Sequence, residues 1–562
     1  MNKIQLENNL SGTLEWQLDN PALNREIEGY ASQTSINQGE SIFLFVNTVS
    51  DSYSIEIYRM GWYDGLGGKL VNTISNVKGT NQPTPLPDPD FGLVECNWNN
   101  PIEIIAKADW TTGIYVAKLE ENNTDKQSYC IFVIRDDAAE HDILFQLPVT
   151  TYQAYNYWGG KSLYDWGSGS DTYWGTVSGK RASKVSFNRP YARSNNKKAA
   201  HGMGAGEFFT NIQPVTTHFF PISSASWDYN MVRWLEQNGY NIGYITNIDT
   251  HNNAKLLNRA KIFMSHGHDE YWSFEMRSNI EKTLADGVNL TFFSSNTMFW
   301  QIRFETSEVT LDSNRTMVCY KDRSDPISDK MCTVNFRDSP IENPESKIIG
   351  VQHFMDPVDG DMVICKEKHW VFENTGLKNG NAIEGVLGYE IDHATQSSPK
   401  NIDLLTNSPG KNLLEDNYSY ILKQVVQKIN RKLNRLIKNN SNLKYGVLIL
   451  GILVFCAFCF WFISTFRITG FVILGLISLI SAIFIYGYLT KLLKRHNRLL
   501  SRVGNSNMSL YVSQSGAKVF STGSMQWSWG LDDYNVPELR VSRRHENVSI
   551  ITRNILSRFL NT

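Results

Sequence analysis

Hydrophobic and polar residues follow a strand-like pattern over the first quarter of the chain. The apolar run at 41–46 precedes residues 53–58, in which hydrophobic and polar side chains alternate with a period of two. Residues 112–118 and 130–134 look similar, and turn-forming stretches at 61–69 and 81–90 separate the runs. Short strands with regular turns and no helical periodicity are typical of a β-sandwich. We predict a β-sandwich module at 28–138, after an N-terminal extension at 1–27.

Beyond residue 138, buried strands alternate with amphipathic helices. The pattern predicts strands at 142–147, 240–245, 261–264 and 288–293, and helices at 227–238 and 273–285. Such alternation indicates an α/β domain with a largely parallel sheet, which we place at 139–410. We assign 505–540 to a return segment of this domain and 541–562 to a C-terminal helix or tail. Ligands bind beyond the carboxyl ends of such strands, so the loops after Leu147, Met264 and Phe293 are the places to search.

Two long apolar runs interrupt the α/β pattern. The runs at 445–464 and 470–489 are each about 20 residues long, which is enough to span ~30 Å of hydrocarbon. They predict a two-helix transmembrane hairpin at 445–490, between a basic amphipathic helix at 411–444 and a basic flank at 491–504. The positive-inside rule then places both termini and the soluble domains on the cytoplasmic side, with the lipid bilayer as a partner. The helix at 411–444 is read as lying on anionic headgroups, as pairing in a coiled coil, or as a solvated extension.

Composition excludes some classes of protein. A net charge of -2 over 562 residues gives no general attraction to nucleic acid. The seven cysteines are odd in number and scattered, which indicates free thiols in a reducing compartment. The first residues contain no apolar stretch typical of a secretory signal peptide. The 15 Trp, 25 Tyr and 28 Phe residues suit large cores and rigid pocket walls.

The three predicted strand ends carry polar and titratable residues rather than ordinary turn residues. The segments are 148–162, 265–272 and 294–297. His268 and Glu270 are two positions apart, so a sharp turn could direct both at one point for metal binding or acid–base catalysis. No cysteine lies at these ends, and Ser265 lacks the GxSxG context of a serine nucleophile. From the residues alone, a catalytic site and a set of packed, hydrogen-bonded side chains remain open alternatives.

A series of long, Trp-rich motifs adds a family resemblance. They are EGYASQTSINQGE, IEIYRMGWYDGLGG, TYQAYNYWGGKSLY, SFNRPYA, GHDEYWS, FFSSNTMFWQIR, GVLGYEID and STGSMQWSWGLDDY, which run in order over residues 28–535. The chain resembles the large (beta) subunit of N,N-dimethylformamidase and its relatives. The resemblance implies a fold like that of class I glutamine amidotransferases for the α/β domain. It also implies hydrolysis of a formamide at a mononuclear iron held by two tyrosines and a glutamate.

The resemblance also assigns roles to residues of this sequence. Glu270 would be the carboxylate ligand, Tyr191 one phenolate and Tyr155 the other, with Tyr152 as the fallback. His268 and Asn296 match catalytic or substrate-orienting positions. Glu390 would be a further acidic active-site residue and Trp527 a pocket wall.

These donors suit the implied metal. Phenolate and carboxylate oxygens are hard anionic donors that fit ferric iron, which would polarise an amide oxygen and acidify a bound water. His268 could then carry the proton to the leaving amine. Substrate choice depends on pocket walls, so a small amide is expected but dimethylformamide itself is not implied.

The sequence therefore supports one leading hypothesis and two competitors. The leading hypothesis is a membrane-tethered, metal-dependent hydrolase that cleaves the carbon–nitrogen bond of a small amide. The first competitor is a non-enzymatic module that binds a ligand or scaffold partner and signals to the hairpin. The second is a homo-oligomer whose hairpins form a pore, which the lack of intramembrane charge disfavours.

Overall fold

The computed structural model of the protein describes residues 1–165, 168–169, 179–213, 224–410 and 504–561. The described residues on either side of 411–503 form one compact unit. Within these ranges the α-helices are α1 (Lys3–Asn8), α2 (Val149–Tyr155), α3 (Asp228–Gln237), α4 (Asn247–Asn252), α5 (Ala254–Leu257), α6 (Phe274–Ala285), α7 (Ser346–Ile349) and α8 (Glu546–Leu560).

Two sheets make up the N-terminal module. One contains β1 (Ile27–Ala31), β3 (Ser41–Thr48) and β6 (Ile102–Ile105) in the order β1-β3-β6. The other has the order β2-β8-β7-β4-β5, from β2 (Ser35–Asn37), β4 (Ser52–Met60), β5 (Gly68–Lys78), β7 (Gly113–Glu121) and β8 (Gln127–Arg135). Ile42, Leu44 and Val46 of β3 are buried and share a core with Ile55 and Ile57 of β4. This alternation is what a strand with one face on the core requires.

A seven-stranded sheet forms the centre of the second part. Its strands are β9 (His141–Leu147), β11 (Ile242–Thr246), β12 (Ala260–His268), β14 (Asn289–Ser295), β19 (Asp403–Leu404), β22 (Ser509–Val512) and β23 (Lys518–Ser521). The order is β11-β9-β12-β14-β23-β22-β19, and the first five strands are parallel. β14 is buried along its whole length, as expected of a strand covered on both faces.

Three smaller sheets are present in the rest of the described chain. One has the order β10-β16-β15-β13, from β10 (Lys184–Ser186), β13 (Tyr271–Ser273), β15 (Trp300–Glu305) and β16 (Thr316–Val318). β17 (Gln352–Val363) pairs antiparallel with β18 (Ala382–His393), and β20 (Ser408–Pro409) with β21 (Asn505–Ser506). β13 begins three residues after β12 ends, and β18 carries Glu390. The sheet that contains β13 and the β17–β18 sheet therefore both bring residues to the carboxyl edge of the central sheet.

A buried ion pair joins the N-terminal module to the central part. Both guanidinium Nη atoms of Arg59 on β4 donate to the carboxylate of Glu236 on α3, at 3.0 and 2.7 Å, and neither side chain is exposed. Tyr244 of β11 donates to the same carboxylate at 2.8 Å. A bidentate pair of this kind fixes orientation as well as distance.

The mixed α/β fold with several sheets is confirmed. The predicted strands at 41–46, 53–58, 142–147 and 288–293 correspond to β3, β4, β9 and β14. The predicted strand at 261–264 extends to His268, because the polar residues after Met264 continue the parallel pairing with β14. His266 and His268 are therefore strand residues rather than loop residues.

The predicted membrane localisation needs correction. In the described ranges the longest helix, α8, has 15 residues and spans about 22 Å, and no helix there is long and apolar enough to cross a membrane. The prediction of a two-pass protein with its termini on the cytoplasmic side is corrected accordingly. The hairpin at 445–490 and the basic segment at 411–444 lie outside the described residues, as does all but the last residue of the flank at 491–504.

Candidate functional site

The end of β12 places His268 and Glu270 in a buried environment. Gly267 has a φ of 61° and lies against Asp228, where a Cβ would come within 2.7 Å of the carboxylate. The backbone N–H of Glu270 donates to the Thr151 hydroxyl of α2 at 2.9 Å. The intervening Asp269 carboxylate accepts hydrogen bonds from three surrounding side chains: Gln146, Asn247 and Ser265. Asp269 therefore anchors the turn that directs its two neighbours.

A chain of three phenols leads to the Glu270 carboxylate. Tyr271 donates to the Tyr164 oxygen at 2.5 Å, Tyr164 to the Tyr155 oxygen at 2.7 Å, and Tyr155 to Glu270 Oε2 at 2.8 Å. The Tyr164 oxygen is also 3.2 Å from Glu270 Oε2. The Tyr155 and Tyr164 rings stack with centroids 4.4 Å apart. The site thus holds two phenol oxygens next to one carboxylate.

Glu390 supplies a second carboxylate from β18. Its Oε1 lies 3.7 Å from Nε2 of His268, and its Oε2 lies 3.6 Å from Nδ1 of His353. Nε2 of His268 is also 3.4 Å from Oε2 of Glu270, so the imidazole lies between the two carboxylates. The Asn296 side chain, which follows β14, is hydrogen-bonded to Glu390. Its backbone N–H is held by Asp392 at 2.9 Å.

Several buried polar atoms of this cluster lack a hydrogen-bond partner. Within the described residues, they include His268 Nε2, Glu390 Oε2, Asn296 Oδ1, His353 Nδ1 and Lys321 Nζ. Folded proteins leave few buried polar groups unsatisfied, and such groups at one place point to a bound ligand or ion. The cluster is therefore a candidate binding site.

Burial controls the protonation of the cluster. Desolvation raises the pKa of Glu270 and raises that of Glu390 well above its ordinary value. Desolvation also lowers the pKa of His268 to about 3, so the imidazole is neutral at neutral pH. The pKa of Tyr155 is raised by burial and by the nearby Glu270 carboxylate. Neighbouring groups with displaced pKa values are characteristic of functional sites.

A lysine covers the phenol chain. The Nζ atom of Lys321 lies 3.3 Å from the centroid of the Tyr164 ring and 5.1 Å from that of Tyr271. Desolvation lowers the pKa of Lys321 to about 8. After burial, the Lys321 charge is the largest influence on Glu270 and acts to lower the pKa of that carboxyl.

A polar network lies behind His268. The amide nitrogen of Gln213 lies 2.9 Å from His268 Nδ1 and 3.1 Å from the carboxylate of Glu207. Because that amide donates to Nδ1, the ring proton of His268 is on Nε2, between Glu270 and Glu390. Desolvation raises the pKa of Glu207 to about 8.

The contacts described for three further predicted site residues are with partners other than Glu270. The Tyr191 ring packs edge-on against Tyr152, with centroids 6.3 Å apart. Burial raises the pKa of the Tyr191 phenol, and the Arg315 and Arg189 charges partly oppose that rise. Tyr152 donates its hydroxyl to Asp228. Trp527 is fully buried, and its indole N–H donates to Thr552 of α8 at 3.0 Å.

Sequence reasoning missed Tyr164, Tyr271, His353 and Lys321. Tyr164 and Tyr271 lie in the quoted segments KSLY and GHDEYWS, so a search for further phenols near the predicted ligands would have found them. His353 and Lys321 have no local signal, because they reach the site only through the pairing of β17 with β18 and the chain after β16.

No group of three or more His, Cys, Asp or Glu side chains capable of holding a metal ion is present in the part of the chain that the structure describes. The other oxygen atoms beside Glu270 are the phenol oxygens of Tyr155 and Tyr164.

Comparison with solved structures gives only partial likenesses. An uncharacterized protein from Bacillus anthracis str. Ames has 14% identity, covering 24% of this chain and 90% of its own, with a TM-score of 0.12. The sulfur carrier protein SoxY from Chlorobium limicola f thiosulfatophilum has 11% identity, covering 19% and 76%, also with a TM-score of 0.12. Scores this low carry no argument about the fold or function.

Comparison with protein families is more informative. The N,N-dimethylformamidase beta subunit from Alcaligenes sp is 26% identical over 133 residues, which are 24% of this chain and 15% of that protein. The match thus spans a small part of the curated relative. The model of the family described as "N,N-dimethylformamidase beta subunit-like, C-terminal" matches residues 54–540, which is most of the chain and includes every site residue discussed above. The chain therefore belongs to the N,N-dimethylformamidase beta subunit-like family.

Proposed function

We propose that this protein is a metal-dependent hydrolase that cleaves the carbon–nitrogen bond of a small amide, as its family suggests. One observation carries the proposal: His268, Glu390 and Asn296 each have a buried polar atom without a hydrogen-bond partner among the described residues, in the cluster that contains Glu270 and its phenols. An amide substrate and a water molecule offer the donors and acceptors that these atoms lack.

The spacing of the oxygen donors supports a single ion. The Tyr155 and Tyr164 oxygens and Glu270 Oε2 are separated by 2.7, 2.8 and 3.2 Å. Around a six-coordinate ion with metal–oxygen bonds of about 2.0–2.1 Å, neighbouring donors are about 2.9 Å apart. Two phenolates and a carboxylate are hard anionic donors, which suit ferric iron. When bound, such an ion would polarise the amide carbonyl and lower the pKa of a water.

The remaining side chains have separate roles in proton transfer and in orienting the reacting groups. Glu390 has a raised pKa and an unpartnered Oε2, so it is the better acceptor for a proton from the attacking water and can return it to the leaving amine. His268 is neutral and holds its proton on Nε2, so it donates a hydrogen bond and orients Glu390 or the substrate. Asn296 fixes the Glu390 carboxylate. Burial of the cluster excludes bulk water and strengthens these interactions.

Two tyrosines compete for the second phenolate position. Tyr164 is favoured by its contact with Glu270, and Tyr191 by the Arg189 and Arg315 charges that oppose the rise in its pKa. We propose Tyr155 and Tyr164 as the pair, because their oxygens already lie within reach of Glu270.

The first test compares iron content and amine release from small formamides. Glu270→Gln is expected to lose both, since it removes the carboxylate donor. Glu390→Gln is expected to keep iron but to lose about 10²–10⁴-fold in rate, as the loss of a proton-transfer group does. Glu275→Gln is the matched control, because it removes the same charge on a side chain that is 45% exposed.

The tyrosines are tested in the same preparation. Tyr155→Phe and Tyr164→Phe are expected to lose iron together with the visible phenolate-to-iron absorption, whereas Tyr191→Phe should retain both. Loss in Tyr191→Phe and retention in Tyr164→Phe would exchange their roles. Absence of metal in the wild-type protein after iron supplementation would overturn the proposal and favour a ligand-binding module.

A further inference from the structure

Two arginines that have no acidic partner among the described residues line one cavity of the fold. Arg189 is fully buried and donates from Nη1 to the carbonyl oxygens of Trp158 and Lys161 at 3.1 and 2.9 Å, and from Nη2 to that of Asn156 at 2.9 Å. Its Nε has no hydrogen-bond partner among the described residues. The guanidinium group is therefore surrounded by neutral acceptors.

Arg315 lies in a similar environment. It donates from Nη2 to the carbonyl oxygens of Ala31 and Phe187 and from Nε to the Asn188 side chain. The Asn188 amide in turn donates to the Glu95 carboxylate at 3.0 Å, so Glu95 is linked to the guanidinium only through Asn188. In the described part of the chain, neither arginine has a carboxylate bound to its guanidinium group.

Two other arginines of the protein do have an acidic partner. Arg59 is paired with Glu236 at 2.7 Å, and Arg135 with Asp249 at 2.9 Å. A buried charge without a partner is costly, and proteins normally neutralise it or bind a counter-ion. Burial accordingly lowers the pKa of both Arg189 and Arg315 to about 10.

The cavity beside them has room for a small molecule. Its volume is about 30 Å³, whereas one water needs about 10–15 Å³. Phe132, Leu147 and Val149 supply apolar wall beside the two arginines. Gln33, Thr34 and Arg315 also line a neighbouring, larger cleft of about 340 Å³.

We propose that this cavity binds a small monocarboxylate anion of one or two carbons, such as formate or acetate. A carboxylate oxygen could accept a hydrogen bond from Arg189 Nε, which has no partner among the described residues, and the negative charge would offset the two buried guanidinium charges. The hydrogen or methyl group suits the apolar wall. The site is distinct from the Glu270 cluster, and its occupation does not depend on hydrolytic activity. Deprotonation of Tyr191, which also lines the cavity, is the alternative source of a negative charge, and it is opposed by the burial that raises the pKa of this phenol.

Calorimetric titration of acetate into the full-length protein tests the proposal, at constant ionic strength with sodium chloride as the reference salt. The wild-type protein is expected to bind one acetate saturably. Arg315→Gln should weaken binding at least tenfold. Arg135→Gln is the matched control, because Arg135 lines only the outer cleft and is already paired, so its loss should leave acetate affinity unchanged.

A second variant covers the case in which Arg315→Gln does not fold. Ala31→Val keeps every charge but adds two methyl groups at the cavity wall, so it should also abolish acetate binding. Pivalate, which is too large for the cavity, should not bind to the wild-type protein. Absence of saturable acetate binding in the wild type would overturn the proposal and favour the Tyr191 phenolate. Unchanged affinity in Ala31→Val, or equal losses in Arg315→Gln and Arg135→Gln, would also overturn it.

Discussion

The buried pair between Arg59 and Glu236 offers a quantitative test of what joins the N-terminal module to the central sheet. Both side chains are inaccessible to solvent. Arg59 also donates to the Thr112 carbonyl at 2.9 Å, and Glu236 accepts from Tyr244 at 2.8 Å. Removing either charge leaves the other buried without its partner, while most of the surrounding hydrogen bonds remain.

The expected loss in the free energy of unfolding follows from the charge that is left buried without a partner. Loss of one member of a buried ion pair costs about 3–5 kcal/mol, whereas replacing both charges by neutral groups of similar size is often close to neutral. Arg59→Met and Glu236→Gln should therefore each lower the free energy of unfolding by about 3–5 kcal/mol. The double variant retains an acceptor for Tyr244 and should cost about 1–3 kcal/mol for its remaining unpaired groups. The coupling between the two positions should be at least about 3 kcal/mol.

Urea unfolding of the four proteins, followed by tryptophan fluorescence, measures this cycle. The slope of the transition should be shared, so that differences in midpoint report differences in free energy. Additive losses in the double variant would refute the reasoning, since independent sites add and coupled ones do not. A loss below about 1 kcal/mol for Glu236→Gln would show that the Arg59 charge is stabilised by other groups.

Two further predictions concern residues around the site. Burial raises the pKa of Glu207 to about 8, so the folded protein keeps a proton that the unfolded chain releases near pH 4.5. Its contribution to stability is thus complete below about pH 4.5 and falls by up to about 1.4 kcal/mol per pH unit until about pH 8. Glu207→Gln should make the free energy of unfolding depend less on pH within that window. Urea unfolding at several pH values measures this dependence, and an unchanged pH dependence in the variant would contradict the raised pKa of Glu207. Gly267→Ala places a Cβ 2.7 Å from the Asp228 carboxylate at a φ of 61°, whereas Gly376→Ala meets no atom within 4 Å at a φ of 69°. Both variants should lose about 1–2 kcal/mol of stability because alanine is strained in the left-handed region. Only Gly267→Ala should lose more stability than this and also lose activity. Equal melting temperatures of the two variants would contradict a steric role for the close approach at Gly267.

Much of the fold could be predicted because local hydrophobic patterns determine it. Ile42, Leu44 and Val46 alternate with less buried positions and form β3, and the mostly apolar residues 290–293 lie in the buried β14. The end of β12 was placed too early, because polar residues such as His266 and His268 ordinarily mark a loop. In this protein they are paired within the parallel sheet and buried, so hydrogen bonding between strands overrides their polarity.

The candidate site was only partly predictable for a different reason. His268 and Glu270 are adjacent to a strand end, which general rules identify as a place for ligands. Tyr164 and Lys321 approach the same point from segments about 100 residues before and 50 residues after Glu270. Their proximity depends on the course of connecting chain, and no periodicity encodes that course.

The position of Glu390 also depends on long-range strand pairing, and this carboxylate is especially informative about mechanism. Its side chain is brought to His268 by β18, which pairs with β17 and lies far from β12 in the sequence. A protein gains no stability from burying an unpartnered carboxylate oxygen between two histidines, since desolvation alone opposes it. Retaining that group beside Glu270 makes physical sense if a ligand or a transferred proton completes its environment. The iron and rate measurements on Glu390→Gln therefore test a function for this carboxylate that stability alone does not explain.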